Sequence, residues 1–348
     1  MSYFRKNIEA AEGYTPGEQP QDGAYVKLNT NENPYPPSPK VIEAIAEAAR
    51  ERLRKYPDPV ADEARRAIAR LNGVEIDHVL CGNGSDDLLS IAVRTFVDPG
   101  QPLATAYPTY SLYETLAQLQ DAHLELHPCG EGFTLPVDKL AGSKAPLVIV
   151  ANPNAPTGVA ATTADLERIA AGIPGVLLVD EAYVDFADAS AMALARSRPN
   201  VLVMRTLSKS YSLAGLRFGY LVGSRELIDG LMKVKDSYNC DVLSIVAARA
   251  ALEDQAWMQA NVARIRGERK RLTAELRLLE FTVLESQANF LLARPPRGDA
   301  QALYEKLKQR RILVRYFKRP RIDEYVRITV GRPEESDRLL AEVKRLLA

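Results

Sequence analysis

The sequence has few cysteines and no excess of either charge. Its 348 residues include three cysteines, Cys81, Cys129 and Cys240, whose spacing suits neither a disulfide framework nor a zinc cluster. We therefore expect buried thiols. Lysine plus arginine and aspartate plus glutamate each total 45, so no overall field attracts nucleic acid or an anionic membrane. Electrostatic recognition must be local.

Long apolar runs are also missing. The longest ones fall far short of the roughly 18 residues that a membrane-spanning helix needs. The first residues, MSYFRKNIEAAEGY, contain no apolar signal segment. These features predict a cytoplasmic protein.

Several common catalytic motifs are absent from the sequence. It contains no GxSxG, no P-loop and no CxxC. GNGSDD does not match the dinucleotide-binding GxGxxG, because Asp87 stands at the third glycine. His123 and His127 have the spacing of a helical zinc pair, but HLELH lacks the HExxH order and is typical of an edge strand. We predict no metal site.

The middle of the chain alternates short apolar runs with helical patterns. Most of the runs are rich in branched residues and lack polar alternation, which is typical of buried parallel strands covered by helices on both faces. The predicted strands are 78–81, 147–151, 176–179, 201–204 and 218–222. The predicted helices are 38–56, 60–71, 85–97 and 162–171.

A different texture begins near residue 242. A long charged helix is predicted over 242–280, followed by a strand at 289–293, a helix at 300–311, strands at 312–316 and 325–330, and a last helix from Glu334. The length exceeds that at which one core usually keeps growing. We therefore predict an N-terminal arm (1–30), a large α/β domain (31–240) and a small α+β domain (241–348).

Polar residues follow the predicted strands, at the edge where such sheets bind ligands. Gly84, Ser85 and Asp86 open a helix, where their backbone N–H groups either form an anion cup or simply follow a tight turn. Asp180 ends a strand that should be buried, so its carboxylate needs a cation or hydrogen-bond donors as partners. The alternative is that Asp180 caps a helix or a loop. Lys209 follows the next strand. A single lysine is usually a solvated charge, but an asparagine, an aspartate and a lysine at three strand ends favour one shared site.

The stretch TLSKSYSLAGLRFGY surrounds Lys209 with hydroxyl groups and continues to Arg217. It resembles the cofactor-lysine motif of fold type I pyridoxal-phosphate aminotransferases, and the resemblance extends over nearly the whole chain. The resemblance implies an α/β fold with a large, mostly parallel sheet covered by helices and a smaller α+β domain. It also implies that pyridoxal 5′-phosphate is the cofactor and that Lys209 binds it covalently.

The same resemblance implies roles for the neighbouring residues. Asp180 would pair with the protonated pyridine nitrogen, which lets the ring accept electrons. Tyr183 in DEAY would hydrogen-bond the ring oxygen O3′, and Tyr110 in YPTYSLY would stack on the ring; core packing is the alternative for each tyrosine. The implied phosphate ligands are Gly84, Ser85, Asp86, Thr206, Ser208 and Arg217, whose guanidinium suits bidentate binding of phosphate.

One position departs from the family pattern. The family usually has NPTG where this chain has APTG, so Ala155 replaces the asparagine that contacts O3′. Asn154 or Asn152 could compensate, and we expect Asn154 to make the contact.

Other segments are similar to those of histidinol-phosphate aminotransferases. They are YTPGEQP, LNTNENPYPP, RKYPDP and VRYFKRPRIDEYVRITVG. This resemblance implies transamination of L-histidinol phosphate with 2-oxoglutarate to imidazole acetol phosphate and glutamate, in histidine biosynthesis. Arg315 and Arg327 would bind substrate anions, with help from Tyr14, Asn33 and Tyr56. Tyr56 would reach the substrate and the cofactor from the neighbouring subunit, which implies a homodimer with shared active sites.

Three alternatives remain open at this stage. An aromatic-amino-acid aminotransferase or a threonine-phosphate decarboxylase would keep the same cofactor residues and differ only in the substrate pocket. A non-catalytic module that binds the cofactor is another possibility. The basic segment 308–321 could form a nucleic-acid patch, although without a basic surplus elsewhere it would bind weakly.

Overall fold

The computed structural model describes residues 2–11, 13, 17–296 and 298–347. The helices are α1 (Lys6–Glu9), α2 (Pro39–Glu51), α3 (Asp62–Asn72), α4 (Gly84–Phe96), α5 (Leu112–Gln120), α6 (Val137–Ala141), α7 (Thr163–Gly172), α8 (Met192–Ser197), α9 (Arg225–Met232), α10 (Val242–Leu252), α11 (Gln255–Leu278), α12 (Ala300–Gln309) and α13 (Pro333–Leu347). The strands are β1 (Val26–Lys27), β2 (Val79–Gly82), β3 (Pro102–Tyr107), β4 (His123–Pro128), β5 (Leu147–Ala151), β6 (Val176–Asp180), β7 (Val201–Thr206), β8 (Gly219–Val222), β9 (Thr282–Val283), β10 (Phe290–Arg294), β11 (Ile312–Leu313), β12 (Arg315–Tyr316) and β13 (Val326–Thr329).

Among these residues, seven strands form one large sheet in the order β2-β8-β7-β6-β5-β3-β4. All of them run parallel except β8, which is antiparallel to both of its neighbours. Along β5, Val148 and Val150 pack into one hydrophobic cluster while Leu147 and Ile149 pack into another. Because alternate side chains of a strand point to opposite faces, the sheet is covered on both sides. The predicted α/β class is confirmed.

The sequence pattern missed β3. Its residues, PLATAY, include two alanines and a threonine and therefore lack the branched apolar run that marked the other strands. The strand nevertheless lies inside the sheet, between β5 and β4, and the hydroxyl of Thr105 donates a hydrogen bond to the carbonyl of Ile149 on β5. This bond satisfies a polar group that lies in the core.

Helix starts follow local capping chemistry. The Ser38 hydroxyl accepts a hydrogen bond from the N–H of Lys40, and Pro39 occupies the first position of α2. At α7, Thr162 and Asp165 form a reciprocal capping box. These contacts explain why both helices begin close to where the sequence predicts.

The single helix predicted over 242–280 is wrong, because the chain forms α10 and α11 with a break at Glu253 and Asp254. Most of α10 is buried, and it packs against α2 and α3 of the large domain. In contrast, α11 carries charged residues on its outer face. The Ser38 hydroxyl donates to Asp254 at the break. The domain boundaries themselves stay a prediction.

A second sheet, of order β12-β13-β10-β9, is antiparallel and packs with helices of the C-terminal region around its own core. The single strand predicted over 312–316 is also wrong. Val26 of β1 pairs in parallel with Ile312 of β11, whereas β12 pairs with β13 after a break at Val314. In the described ranges, no helix is both long enough and apolar enough to cross a membrane.

Candidate functional site

The carboxyl ends of four strands of the large sheet surround the candidate site. Ala151 at the end of β5 lies opposite Asp180 at the end of β6, and Asp180 lies opposite Met204 of β7. Lys209 follows β7, and Gly84 opens α4 just after β2. Since parallel strands end at one edge, the fold places these predicted residues on the same side of the sheet.

Asp180 is a buried carboxylate with two hydrogen-bond donors. The Tyr113 hydroxyl lies 2.7 Å from Oδ2, and the N–H of Ala182 lies 3.1 Å from Oδ1. Burial raises the pKa of Asp180 to about 6, although these two hydrogen bonds act in the opposite direction. The donors therefore compensate only part of the desolvation cost, and a cation placed against this carboxylate would be strongly stabilised.

Lys209 is half-buried and points into the fold. Its Nζ donates to the carbonyl of Thr30 at 3.4 Å and lies 5.7 Å from the ring centroid of Tyr183. The Asn33 amide donates to the carbonyls of Lys209 and Ser210, each at 3.1 Å, which fixes the backbone beside the lysine. Asn33 therefore supports the loop that carries Lys209, called here the Lys209 loop. The substrate contact expected for Asn33 stays a prediction.

The predicted phosphate ligands lie within contact of one another. Arg217 donates to Ser208 Oγ at 3.3 Å and to Asp86 Oδ2 at 3.1 Å. The Thr206 hydroxyl donates to Ser208 Oγ at 3.0 Å. The hydroxyls, the guanidinium and the N-terminus of α4 thus lie around one point, which we call the anion hollow. Together they are the donor set that a phosphate group requires.

Gly84 leaves the space that this hollow needs. Its φ is +81°, and a Cβ built there would lie 2.7 Å from Arg217 Nη2. Any side chain at this position would push the guanidinium away from the start of α4. Ser85 follows as the second residue of the helix, where its backbone N–H has no partner within the helix. Gly84 therefore lets Arg217 lie close to the first N–H groups of α4, and both are donors suited to an anion.

Two aromatic residues connect the anion hollow to Asp180. The Tyr110 hydroxyl lies 3.3 Å from Asp86 Oδ1, and the Tyr110 ring packs edge-on against Tyr113 with centroids 5.6 Å apart. Tyr113 in turn donates to Asp180. The sequence did not indicate Tyr113, because its hydrogen-bond partner Asp180 lies 67 residues away in the chain.

The expected contact of Asn154 with O3′ is not supported. Its Nδ2 donates to the carbonyl of Pro108 at 3.0 Å and to Thr157 Oγ1 at 2.9 Å. Its Oδ1 accepts from Thr109 at 2.9 Å. Both amide hydrogens are therefore used in holding the loop, which leaves none for a ligand.

A compensating contact from Asn152 stays a prediction, and Ala155 offers only a methyl group. The amide of Asn152 is paired with the backbone of Ala161 in both directions. Ala155 packs with Phe290 and Tyr183 in a small apolar cluster. The wall beside the Tyr183 ring is therefore apolar.

Asn31, which the sequence did not indicate either, is a buried residue with φ +57°. Its Nδ2 lies 3.0 Å from the Tyr183 hydroxyl. The two residues are 152 positions apart in the chain, so no local spacing could have indicated the contact.

Two arginines face each other on the small sheet. Arg315 of β12 and Arg327 of β13 are direct cross-strand partners. Both guanidinium groups lie over the Phe317 ring, at 5.4 and 5.3 Å from its centroid, and Arg327 also donates to the carbonyl of Asn29 at 2.9 Å. Opposed like charges destabilise a strand pair, so an anion bound between them would be favourable.

Tyr56 lies on the surface of the chain. Tyr56 is 82% exposed, and its ring stacks on that of Tyr238 with centroids 4.6 Å apart. Its predicted contact from a neighbouring subunit is not tested by a single chain. Tyr14 lies outside the described residues.

Chemically, the arrangement combines three functions. Asp180 can stabilise a cation, the Lys209 amine can bond to a carbonyl carbon or carry a proton, and the hollow at Gly84 and Arg217 can hold an anionic group. The two arginines on the small sheet can receive a second anion. These properties suit a charged cofactor and a charged substrate that react beside a lysine.

The chain is similar to known aminotransferases over nearly its whole length. Residues 24–343 match the family described as aminotransferase class I and II. A protein from Nostoc sp. named histidinol-phosphate aminotransferase 1 is 47% identical over 347 residues, which cover 99% of this chain and 98% of that protein. A protein of the same name from Burkholderia pseudomallei is 46% identical over 353 residues, which cover 99% of this chain and 99% of that protein.

Solved structures extend the comparison to the fold. The histidinol-phosphate aminotransferase from Sinorhizobium meliloti, solved in complex with pyridoxal-5′-phosphate, superposes with a TM-score of 0.92 at 27% identity, covering 100% of this chain and 99% of that one. An aspartate aminotransferase variant from Thermus thermophilus, 21% identical and fully covered, shares the fold with a TM-score of 0.85. The chain therefore belongs to the class I and II aminotransferase family.

Proposed function

We propose that this protein is a pyridoxal-phosphate-dependent aminotransferase that transfers the amino group of L-histidinol phosphate to 2-oxoglutarate. The products are imidazole acetol phosphate and glutamate, and the reaction belongs to histidine biosynthesis. The observation that carries the proposal is the convergence of Lys209, Asp180 and Arg217 on one edge of the sheet. The names of relatives that are 44–47% identical over nearly the full length support the choice of substrate.

The residues present fit pyridoxal 5′-phosphate. The phosphate would lie between the N-terminus of α4 and Arg217, with hydroxyls from Thr206 and Ser208, and Gly84 leaves room for it. Asp180 would face the ring nitrogen, whose positive charge relieves the cost of burying the carboxylate. When bound, the cofactor ring accepts the electron pair that the substrate α-carbon releases on losing its proton.

The chain's own groups then have distinct tasks. The Lys209 amine would take the proton from the substrate α-carbon and pass it to the cofactor carbon C4′, and general acid–base catalysis of this kind contributes roughly 10² to 10⁴ in rate. Tyr183 donates towards the ring oxygen, and Tyr110 covers one face of the ring. Lys209 lies 5.7 Å from the Tyr183 ring centroid, so both act on the same side of the site.

The substrates and their receptors are complementary in charge. L-Histidinol phosphate and 2-oxoglutarate are both anions, and Arg315 and Arg327 face each other where such groups could enter in turn. Tyr14, Asn33 and Tyr56 are the further residues that we propose at the substrate. A homodimer completes the proposal, because the exposed ring of Tyr56 could serve only the site of a neighbouring subunit.

The proposal also includes the cytoplasm as the location of the enzyme. The three cysteines of the chain are buried and unpaired, as expected for a reducing compartment. Small anionic metabolites as substrates suit the same compartment.

The first prediction concerns the choice of substrate. Purified holoprotein is assayed for glutamate formation from 2-oxoglutarate with L-histidinol phosphate, L-phenylalanine or L-threonine phosphate as the amino donor. We expect kcat/KM to be at least about 100-fold higher for histidinol phosphate, since a site built for a hydrogen-bonding substrate discriminates by two orders of magnitude or more.

A matched variant isolates the chemistry from binding. Lys209→Ala should still retain the cofactor through its phosphate contacts but turn over negligibly with all three donors. Equal rates with phenylalanine, or release of carbon dioxide from threonine phosphate, would contradict the proposed substrate. Full activity of Lys209→Ala would contradict the proposed chemistry.

A further inference from the structure

The Tyr183 hydroxyl has one hydrogen-bond partner in the part of the chain that the structure describes. Asn31 Nδ2 lies 3.0 Å from it and, as an amide nitrogen, can only donate. Tyr183 therefore accepts this bond, and its own proton remains for another acceptor. The Tyr183 ring is fixed by an edge-on contact with Phe290 at 5.0 Å between centroids, so only the direction of the O–H bond is left to be set.

Thr329 determines which way the Asn31 amide faces. The backbone N–H of Asn31 donates to Thr329 Oγ1 at 3.0 Å, and the Thr329 hydroxyl donates to Asn31 Oδ1 at 3.0 Å. Because Oδ1 is held on the threonine side, Nδ2 must face Tyr183. Asn289 donates to the Asn31 carbonyl at 3.0 Å and secures the backbone.

The surroundings of Tyr183 make this contact important. Ala155 and Phe290 present apolar groups, and the amides of Asn152 and Asn154 are engaged by other atoms. No second side chain in the described residues shares the task of holding the hydroxyl. If Asn31 were an acceptor instead, the phenol proton would turn towards it and away from the site.

We propose that Asn31, oriented by Thr329, is a positioning residue that directs the Tyr183 hydroxyl proton towards the ring oxygen of the bound cofactor. The inference rests on the proposed function, since it requires that cofactor. A donor at the ring oxygen stabilises its anionic form, so it lowers the pH midpoint at which the visible absorbance of the bound cofactor changes.

The test is a spectrophotometric pH titration of holoprotein. Tyr183→Phe provides the reference and should raise the midpoint by about one pH unit, since one hydrogen bond to a charged group shifts a proton equilibrium tenfold or more. Asn31→Gly tolerates the positive φ, removes the amide, and should move the midpoint in the same direction. Asn31→Asp offers an acceptor in the same place and should move it at least as far.

Thr329 provides a matched pair of variants. Thr329→Val keeps the shape of the side chain and suits a strand, but it loses the hydroxyl that orients Asn31. We expect it to raise the midpoint, whereas Thr329→Ser should keep the wild-type value. This pair decides the question even if the Asn31 variants fold poorly.

A double variant separates this role from a merely structural one. In a Tyr183→Phe background, Asn31→Gly should cause no further shift, because its effect passes through the phenol. An unmoved midpoint in Asn31→Gly and Thr329→Val would overturn the inference, as would a shift that persists without the Tyr183 hydroxyl. A coloured holoprotein with unmoved midpoints overturns this inference alone, while wild-type protein that takes up no cofactor overturns the proposed function as well.

Discussion

At the scale of single residues, Asp180 shows how a site can be prepared for a cation. The carboxylate is buried at the end of a central strand, and within the described ranges its hydrogen-bond donors are the Tyr113 hydroxyl and the Ala182 N–H. Burial raises its pKa to about 6. The cofactor-free protein therefore carries an unfavourable charge at neutral pH, and a cationic ring nitrogen would remove that cost on binding.

This balance predicts a pH-dependent stability. The folded protein binds the Asp180 proton more tightly than the unfolded chain does, since the pKa rises from 3.8 to about 6. The stabilisation from this group is complete below about pH 4 and is lost as the pH rises through about 6. In cofactor-free protein, the free energy of unfolding of Asp180→Asn relative to wild type should therefore increase by roughly 2 to 3 kcal/mol between pH 4 and pH 7.5. Urea unfolding at several pH values measures it.

Asp188 supplies a control of opposite sign. It is an exposed carboxylate whose pKa is lowered, chiefly by hydrogen bonds from Gln287 and Arg266. Its contribution to stability is present above the unfolded pKa and is lost as the pH falls. Asp188→Asn should therefore lose stability relative to wild type as the pH rises. If the difference in unfolding free energy between Asp180→Asn and wild type does not vary with pH, the cost of burying Asp180 does not come from its charge.

The sequence predicted the positions of Lys209, Asp180 and Arg217 at the ends of strands better than it predicted the contacts that surround them. Each of the three lies at or near the end of a strand within a recognisable motif. Tyr113 and Asn31 were not found, because their hydrogen-bond partners lie 67 and 152 residues away. Such contacts arise only when the strands have been placed side by side, so one sequence without a fold does not contain them.

At the scale of elements, the N-terminus of α4 is the part of the fold most closely adapted to an anion. The helix begins at Gly84 in a left-handed conformation, and the guanidinium of Arg217 packs against the position where a Cβ would lie. The helix dipole and the free N–H groups favour negative charge at this end. Anion binding at this end of α4 therefore depends on the absence of a side chain at Gly84.

The glycine can be tested with a closely matched control. Gly84→Ala and Gly100→Ala both place alanine at a left-handed position, with φ of +81° and +83°, but only at Gly84 would the Cβ meet another group, 2.7 Å away. Both variants should lose roughly 1 kcal/mol or more of stability from backbone strain. Only Gly84→Ala should also weaken cofactor binding, by about tenfold or more, because it displaces Arg217.

The measurement is a titration of cofactor-free protein with pyridoxal 5′-phosphate, followed by absorbance. Comparing the two variants subtracts the effect of backbone strain alone. If both weaken binding to the same extent, the loss comes from general destabilisation and the role assigned to the hollow at Gly84 is wrong.

Elements were predicted well where local chemistry sets their limits and poorly where packing sets them. The helix at 162–171 was found close to its true start because Thr162 and Asp165 cap it. The helix predicted over 242–280 was not, because both halves have helical sequences and only burial distinguishes them. The break at Glu253 and Asp254 separates α10, packed into the large domain, from the charged α11.

At the scale of the whole molecule, segment 29–33 joins the two parts of the site. Asn33 holds the Lys209 loop of the large sheet, while the carbonyl of Asn29 accepts from Arg327 on the small sheet. Asn31 contacts both sheets, through Tyr183 and Thr329. Segment 29–33 therefore connects the Lys209 loop to Arg327 within one chain, as the proposed function requires if both residues serve one site.

The exposed face near Tyr56 suits the proposed homodimer. Tyr56 and Tyr238 stack on each other while remaining 82% and 48% exposed. Two adjacent exposed aromatic rings are typical of an interface. In a two-fold dimer the same surface is used twice, so each Tyr56 could reach the site of the other subunit.

Mixed dimers test this arrangement. Lys209→Ala and Tyr56→Ala should each be nearly inactive alone. In a mixed dimer, the subunit with an intact Lys209 receives an intact Tyr56 from its partner, so one of the two sites is complete. Random pairing of equal amounts makes half of the dimers mixed, and roughly a quarter of the wild-type activity should return.

The control pair is Lys209→Ala with Arg327→Ala, which should restore nothing because both residues serve the site of their own chain. No restoration with Tyr56→Ala would show that Tyr56 does not cross between subunits. Restoration by the control pair would show that Lys209 and Arg327 of one chain do not serve the same site.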